Sequence, residues 1–267
     1  MEKAFAVITG ASNGLGKAFA YELAARKINL VLISLPGEGL KGLSEELRQY
    51  GIDTAYYETD LTDRNHVEVM SEWINRHFEV FMLINNAGIG GTKKFTEAGP
   101  EYLNRIIQLN VMTPPLLISL LLPNLMRQEK GYILNVSSMA AFSPMGYKTV
   151  YPASKAFVHH FTRGLYEELK HTNVFVSVVN PGPMKTNSDN TRRIERHGIF
   201  GKLGLLTPET VARRSVKRLF KRDTMIMLSA GNGINWLMMR LIPVWLRLPL
   251  LTRAIRKEIE SEGQLSL

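Results

Sequence analysis

Cysteine is absent from this chain, which excludes disulfide frameworks, thiolate nucleophiles and cysteine-ligated metals. Long apolar runs are missing as well. The most apolar stretch, PPLLISLLLPNLM from Pro114 to Met126, is too short to cross a bilayer and carries proline near both ends, so it reads as a buried or interfacial helix. The 6 histidines show no HExxH spacing, and no metal is expected. The amino terminus, MEKAFAVITG, lacks the long apolar region and cleavage site of a signal peptide. Together with the want of cysteine, this points to a cytoplasmic chain. Acidic residues are scarce only late in the sequence. Positions 1 to 184 hold 17 basic and 17 acidic side chains, whereas from Lys185 onward there are 16 basic against 7 acidic, so the whole +9 excess lies in the carboxyl-terminal third.

What is present is a regular alternation. Short β-branched or apolar runs fall near Ala4–Thr9, Leu30–Ser34, Thr54–Glu58, Val80–Asn85, Gly131–Val136, Val174–Asn180 and Met225–Leu228, separated by amphipathic stretches of helical period. Runs such as FAVIT and VFVSVV are apolar throughout, as strands covered on both faces are. The pattern predicts one α/β domain built on a doubly wound, mostly parallel seven-stranded sheet with helices on both faces, and ligands beyond the carboxyl ends of the strands. Residues 1–230 form the cofactor-binding and catalytic unit, with a substrate loop at about 185–207. Residues 231–267 are a basic, apolar extension expected to pack on the same domain.

Between the first strand and the first helix the chain reads TGASNGLG, from Thr9 to Gly16. A tight strand-to-helix turn needs residues tolerant of positive φ. A bare backbone there lets a pyrophosphate approach the amides of the helix amino terminus, and Gly10, Gly14 and Gly16 supply both properties. An NAD site ordinarily ends its second strand with a carboxylate for the ribose 2′-hydroxyl. Here Ile33, Ser34 and Leu35 occupy that region, and Glu38 follows only after Pro36-Gly37. The reading is NADP in preference to NAD, with Ser12 and Ser34 as hydroxyl donors to a 2′-phosphate.

Tyr151 to Lys155 reads YPASK at the start of a helical stretch, which puts the phenol and the ammonium on one helix face. A free tyrosine ionises near pH ~10, so a neighbouring cation is needed to make it an acid/base at neutrality, and Lys155 is that cation. Pro152 limits where the helix can begin, since it is tolerated only in the first turn. Ser138 follows the strand GYILNV and can hydrogen-bond a substrate carbonyl, as can Ser137.

These residues resemble the short-chain dehydrogenase/reductase family, over about Lys3 to Thr186. The TGASNGLG turn is similar to the family's cofactor turn, in which Gly10, Ser12, Asn13, Gly14, Leu15 and Gly16 would meet the cofactor. Asp60-Leu61 resembles its adenine contact, and Asn85-Asn86-Ala87-Gly88 its NNAG motif. Asn110, Ser138, Tyr151 and Lys155 fall at its four catalytic positions. Pro181-Gly182, Met184 and Thr186 resemble the segment holding the nicotinamide carboxamide. The resemblance implies a Rossmann-type fold, a homodimer or homotetramer, and hydride transfer between nicotinamide and substrate carbon with Tyr151 as acid/base. Ser138 would steady the substrate oxygen and Lys155 would bind the ribose and lower the Tyr151 pKa. Asn110 would hold a water of a proton relay. The sequence departs from the family at Pro152 within YxxxK, at Leu35 where NADP-preferring members carry arginine, and at Met139-Ala140-Ala141.

The segment INWLMMRLIPVWLRLPLLTRAI, from Ile234 to Ile255, combines large apolar residues with Arg240, Arg247 and Arg253. Pro243 and Pro249 predict short helical pieces. Three roles are open to it: a substrate lid or subunit contact, a peripheral membrane anchor, and a dock for an acidic acyl carrier. No nucleic-acid module is present. The expected substrate is a hydrophobic carbonyl, 3-oxoacyl or steroid-like. The competing class is a non-catalytic cofactor-sensing or membrane-surface protein on the same fold.

Overall fold

Seven apolar runs form one parallel sheet in the order β3-β2-β1-β4-β5-β6-β7. In the computed structural model, which describes residues 4–184 and 205–263 and gives the last seven of these as backbone alone, the strands are β1 (Ala4–Thr9), β2 (Asn29–Ser34), β3 (Thr54–Glu58), β4 (Glu79–Asn85), β5 (Gly131–Val136), β6 (Val174–Val179) and β7 (Met225–Ile226). Each agrees with its sequence expectation to within one or two residues at either end. The doubly wound fold is as expected, and the order reverses between β1 and β4, where such sheets open a crevice at the strands' carboxyl ends.

Alternation along the strands explains the layers. On β1, Ala6 and Ile8 face a core shared with α1 (Gly14–Ala25), α2 (Leu40–Leu47) and α7 (Pro208–Phe220). Val7 faces the opposite core, with α3 (Arg64–His77) and α5 (Thr113–Met126). Helix α6 (Val150–Leu169) covers that second face beside β6. Two further helices, α8 (Ala230–Leu241) and α9 (Val244–Gly263), follow β7.

Two expectations need correction. Pro243 separates α8 from α9 as predicted, but Pro249 lies inside α9 and does not break it. It falls in the helix's second turn, where the missing N–H forfeits one early bond of the ladder. The apolar segment at Pro114 is also longer than the sequence suggested. Helix α4 (Pro100–Ile107), a π-turn (Gln108–Met112) and α5 run on without a gap, giving one helix long and apolar enough, by length and composition, to cross a membrane. Its place is in the second helical layer. Leu117, Leu121 and Leu125 are buried. Asn124 ties it to the sheet, its Oδ1 accepting from Val80 N at 3.0 Å and its Nδ2 donating to Phe78 O at 2.9 Å.

Candidate active site

A cavity of about 1020 Å³ opens over the carboxyl ends of β1, β4, β5 and β6. The turn after β1 forms its floor. Gly10 and Gly14 take φ of 65° and 53°, values that side chains rarely tolerate. Gly16 is excluded from bearing a side chain for a different reason: a Cβ there would lie 1.9 Å from Gly10 O. Asn86 locks this turn to β4 by donating from Nδ2 to Thr9 O at 2.9 Å and Gly10 O at 3.1 Å. Thr9 Oγ1 in turn accepts from the amides of Asn86 and Ala87, both at 3.0 Å.

Helix α1 starts at this floor, and Asn13 makes no side-chain capping bond to it. Helices α3, α7 and α8, by contrast, are capped by Asp63, Thr207 and Ser229. An uncapped amino terminus beside a bare glycine turn fits a pyrophosphate, which would accept from the orphan amides. Ser12, Leu15, Asp60, Leu61, Ala87, Gly88, Pro181, Gly182 and Met184 also line the cavity. The chamber runs from Ser34 at the end of β2 to Met184 beyond β6, and these residues fit NAD(P). Thr186 and most of the expected substrate loop lie outside the described residues.

The reacting end is built from β5 and α6. Tyr151 and Pro152 fall in the first turn of α6, where the proline's missing N–H costs nothing. Ser138 caps the 3-10 turn Met139–Phe142, its Oγ accepting from Ala140 N at 3.1 Å, and it stands beside the Tyr151 phenol. Lys155 is buried one turn on, with Nζ donating to Val136 O at 3.0 Å and lying 5.9 Å from the centre of the Tyr151 ring. Tyr151, Lys155 and Ser138 share the cavity wall. Ser137 does not compete with Ser138, because its hydroxyl is spent on Lys155 O at 2.7 Å.

Four site expectations change. Burial raises the Tyr151 phenol above its ordinary value, and the Ser138 hydroxyl is what works against that rise. Lys155 Nζ is directed at the strand carbonyl of Val136, and its own pKa is pushed down by burial to about 8. Asn110 stands behind the cavity wall, 1% exposed. Its Nδ2 donates to Ile89 O at 2.8 Å and Ser154 Oγ at 3.0 Å, and its Oδ1 accepts from Ile89 N at 3.0 Å. Both amide hydrogens of that side chain are spent on the fold, which makes it a positioning group. Gly16 likewise lies beneath the turn and not on the cavity surface.

The fourth change concerns Glu38. The chain turns back through Gly37 and Gly39, at φ of 80° and 74°, and the carboxylate Oε2 accepts hydrogen bonds from both Ser12 Oγ and Ser34 Oγ. Glu38 therefore lines the cavity at the end of β2. The sequence reading that no carboxylate stands there does not hold, and the two hydroxyls meant for a phosphate are already engaged.

Sequence reasoning also missed a buried polar chain. Asn85 Nδ2 donates to Asn135 Oδ1 at 2.8 Å, and Asn135 Nδ2 donates to Thr162 Oγ1 at 2.9 Å, joining β4, β5 and α6. It missed Asn232, Asn235 and Met239 of α8 as cavity wall too. Helical spacing of these three was the available signal. His159 packs inside, with Nδ1 3.2 Å from Asn180 Oδ1 and its ring edge-on to Phe142.

The chain as a whole is similar to known proteins. The profile of the short chain dehydrogenase family matches residues 4–197. A very-long-chain 3-oxoacyl-CoA reductase of Anas platyrhynchos is 34% identical over 224 residues, covering 80% of this chain and 68% of its own. Among solved structures, a 7beta-hydroxysteroid dehydrogenase superimposes with a TM-score of 0.81 at 23% identity, covering 98% of both chains. A short-chain dehydrogenase from Sphingobium yanoikuyae, in complex with NADPH, does so with a TM-score of 0.75 at 26% identity, covering 90% of this chain and 96% of its own. The chain belongs to the short-chain dehydrogenase/reductase family. It is an NAD(P)-dependent oxidoreductase.

Proposed function

We propose that this protein reduces a hydrophobic ketone to a secondary alcohol, with Tyr151 delivering the proton to the substrate oxygen. The observation carrying this reading is the Tyr151–Ser138 pair on the cavity wall, with Lys155 and Asn110 fixed behind it. A bound nicotinamide supplies the hydride. The chain's own work is to orient and to move a proton. Ser138 and Tyr151 hydrogen-bond the carbonyl oxygen, polarising it as negative charge develops there. The phenolic O–H bond then breaks as the alcohol O–H forms. Lys155 Nζ, one helical turn away, compensates the phenolate left behind.

An apolar substrate is supported by Leu109, Met139, Met145, Met184 and Met239 in the cavity lining, and by the 3-oxoacyl and hydroxysteroid chemistry in the names of similar proteins. The test is oxidation of NADH and NADPH with ketones of increasing chain length. Turnover should rise with apolar length. A preference for small polar sugars would overturn the substrate class.

For the cofactor, NADPH is supported by the NADPH bound to the Sphingobium enzyme. NADH is favoured by one observation in this chain, the Glu38 carboxylate held between Ser12 and Ser34. That carboxylate can accept from a ribose 2′-hydroxyl and repels a 2′-phosphate.

A further inference from the structure

Helix α8 has two unlike faces. Asn232, Asn235 and Met239 look into the cavity, while Ile234, Leu237, Met238 and Leu241 lie on the opposite side and are exposed, as about 3.6 residues per turn requires. The exposed face continues through the elbow at Pro243 into the first turns of α9. Exposure there reaches 71% at Leu241, 72% at Trp245 and 70% at Leu250. Among the described residues, 9 of the 17 large apolar side chains that are exposed fall between Ile234 and Leu250. Scattered single exposures are ordinary, but a concentration of this kind marks an interaction surface.

The elbow is also held in place. Arg247 Nη1 donates to Phe142 O at 2.7 Å, Thr252 Oγ1 accepts from Gly146 N at 3.1 Å, and Ile255 is buried. The apolar tip is thus presented outward by a fixed hairpin of helices.

Charge indicates the occupant. From Thr224 to Lys257 the chain carries five basic side chains and no acidic one. Arg240 and Arg253 are exposed beside the tip, and the Arg240 guanidinium lies 5.7 Å from the Trp236 ring centre. A second copy docking through the same patch would set like charges against each other across a twofold axis. An anionic lipid surface answers both features, since headgroup phosphates pair with arginine while leucine and tryptophan enter the acyl boundary.

We propose that the α8–α9 elbow docks on an anionic membrane surface, with Leu241, Trp245 and Leu250 inserted and Arg240 and Arg253 at the phosphates. Docking stands independently of the redox reading. Where that reading also holds, the lipid lies one helix width, about 10 Å, from the cavity wall at Met239.

The test is cosedimentation of the full chain with phosphatidylcholine vesicles, with and without phosphatidylglycerol. The wild type should bind the anionic vesicles, weakly bind the neutral ones, and detach as salt rises. Leu241→Ser/Trp245→Ser should lose tenfold or more in binding, with thermal melting and cofactor binding retained. Arg240→Gln/Arg253→Gln should lose the salt dependence and the preference for phosphatidylglycerol, and it tests the proposal independently if the first pair misfolds. No wild-type binding, binding by both variants indistinguishable from the wild type, or a dimer that the apolar substitutions dissociate in the absence of vesicles would each overturn the proposal. Ketone turnover is measured separately, so failure of the docking and failure of the reductase reading are distinguishable.

Discussion

Lys155 and Glu38 are the two residues whose surroundings make the sharpest demands. Burial lowers the Lys155 ammonium to about 8, while an unfolded lysine ionises near ~10.4. Between about pH 8 and 10.4 the unfolded chain binds a proton that the folded chain does not, so stability from this group rises with pH across that window. Below it both states are protonated and the burial penalty is felt in full. Relative to Lys155→Met, urea denaturation should show the wild type gaining on the order of 3 kcal/mol between neutrality and pH ~10.5, and a constant difference would contradict the burial argument. At Glu38 the sign is as definite. Glu38→Gln removes a negative charge from the ribose end and should shift the NADPH/NADH ratio of kcat/KM toward NADPH by roughly tenfold or more. An unchanged ratio would mean that the carboxylate swings clear of the cofactor. Glu38 was illegible in the sequence because proximity to Ser12 depends on two left-handed glycines folding the chain back, and spacing alone placed it past the strand.

The elements of the site were legible to different degrees for physical reasons. The strand-to-helix turn was, because only glycine satisfies positive φ at Gly10 and Gly14 and the close approach at Gly16. Gly16→Ala should therefore push the turn against Gly10 O and Asn86, weaken cofactor binding at least tenfold and destabilise the fold by about 1–3 kcal/mol. Fluorescence titration and thermal melting check this, and normal affinity would show that the turn can give way. The YPASK helix start was legible from the proline. The π-turn around Asn110 was not, since it continues one helix into the next with no breaking residue, and the sequence alone took Asn110 for a water ligand. Its side chain ties the Ile89 backbone to Ser154, and Ser154 Oγ donates to Tyr151 O at 2.8 Å, so Asn110 braces the helix that bears the phenol. The Asn85–Asn135–Thr162 chain was hidden for a similar reason, because its members sit on three elements brought together only by the sheet.

At the scale of the whole molecule, the sheet puts the glycine turn, Ser138 and the Tyr151 helix along one edge, and α8 lines the far side. The sheet was legible because a fully covered parallel strand is apolar at every position. The role of α8 as a wall was not, because the helical spacing of its cavity-facing residues, two asparagines and a methionine, puts them on one face without saying what that face meets. A cofactor-sensing protein would need the dinucleotide cradle without the proton donor, whereas here Ser138 and Lys155 share the cavity wall with Tyr151 and Asn110 of the π-turn converges on the same helix start through Ser154. The most direct test of that convergence is the rate of NAD(P)H oxidation by the best hydrophobic ketone in wild type and Tyr151→Phe, with cofactor affinity measured on the same samples. The account predicts a fall of roughly 10²–10⁴ in turnover with cofactor affinity essentially retained. Equal turnover in the two proteins would contradict it.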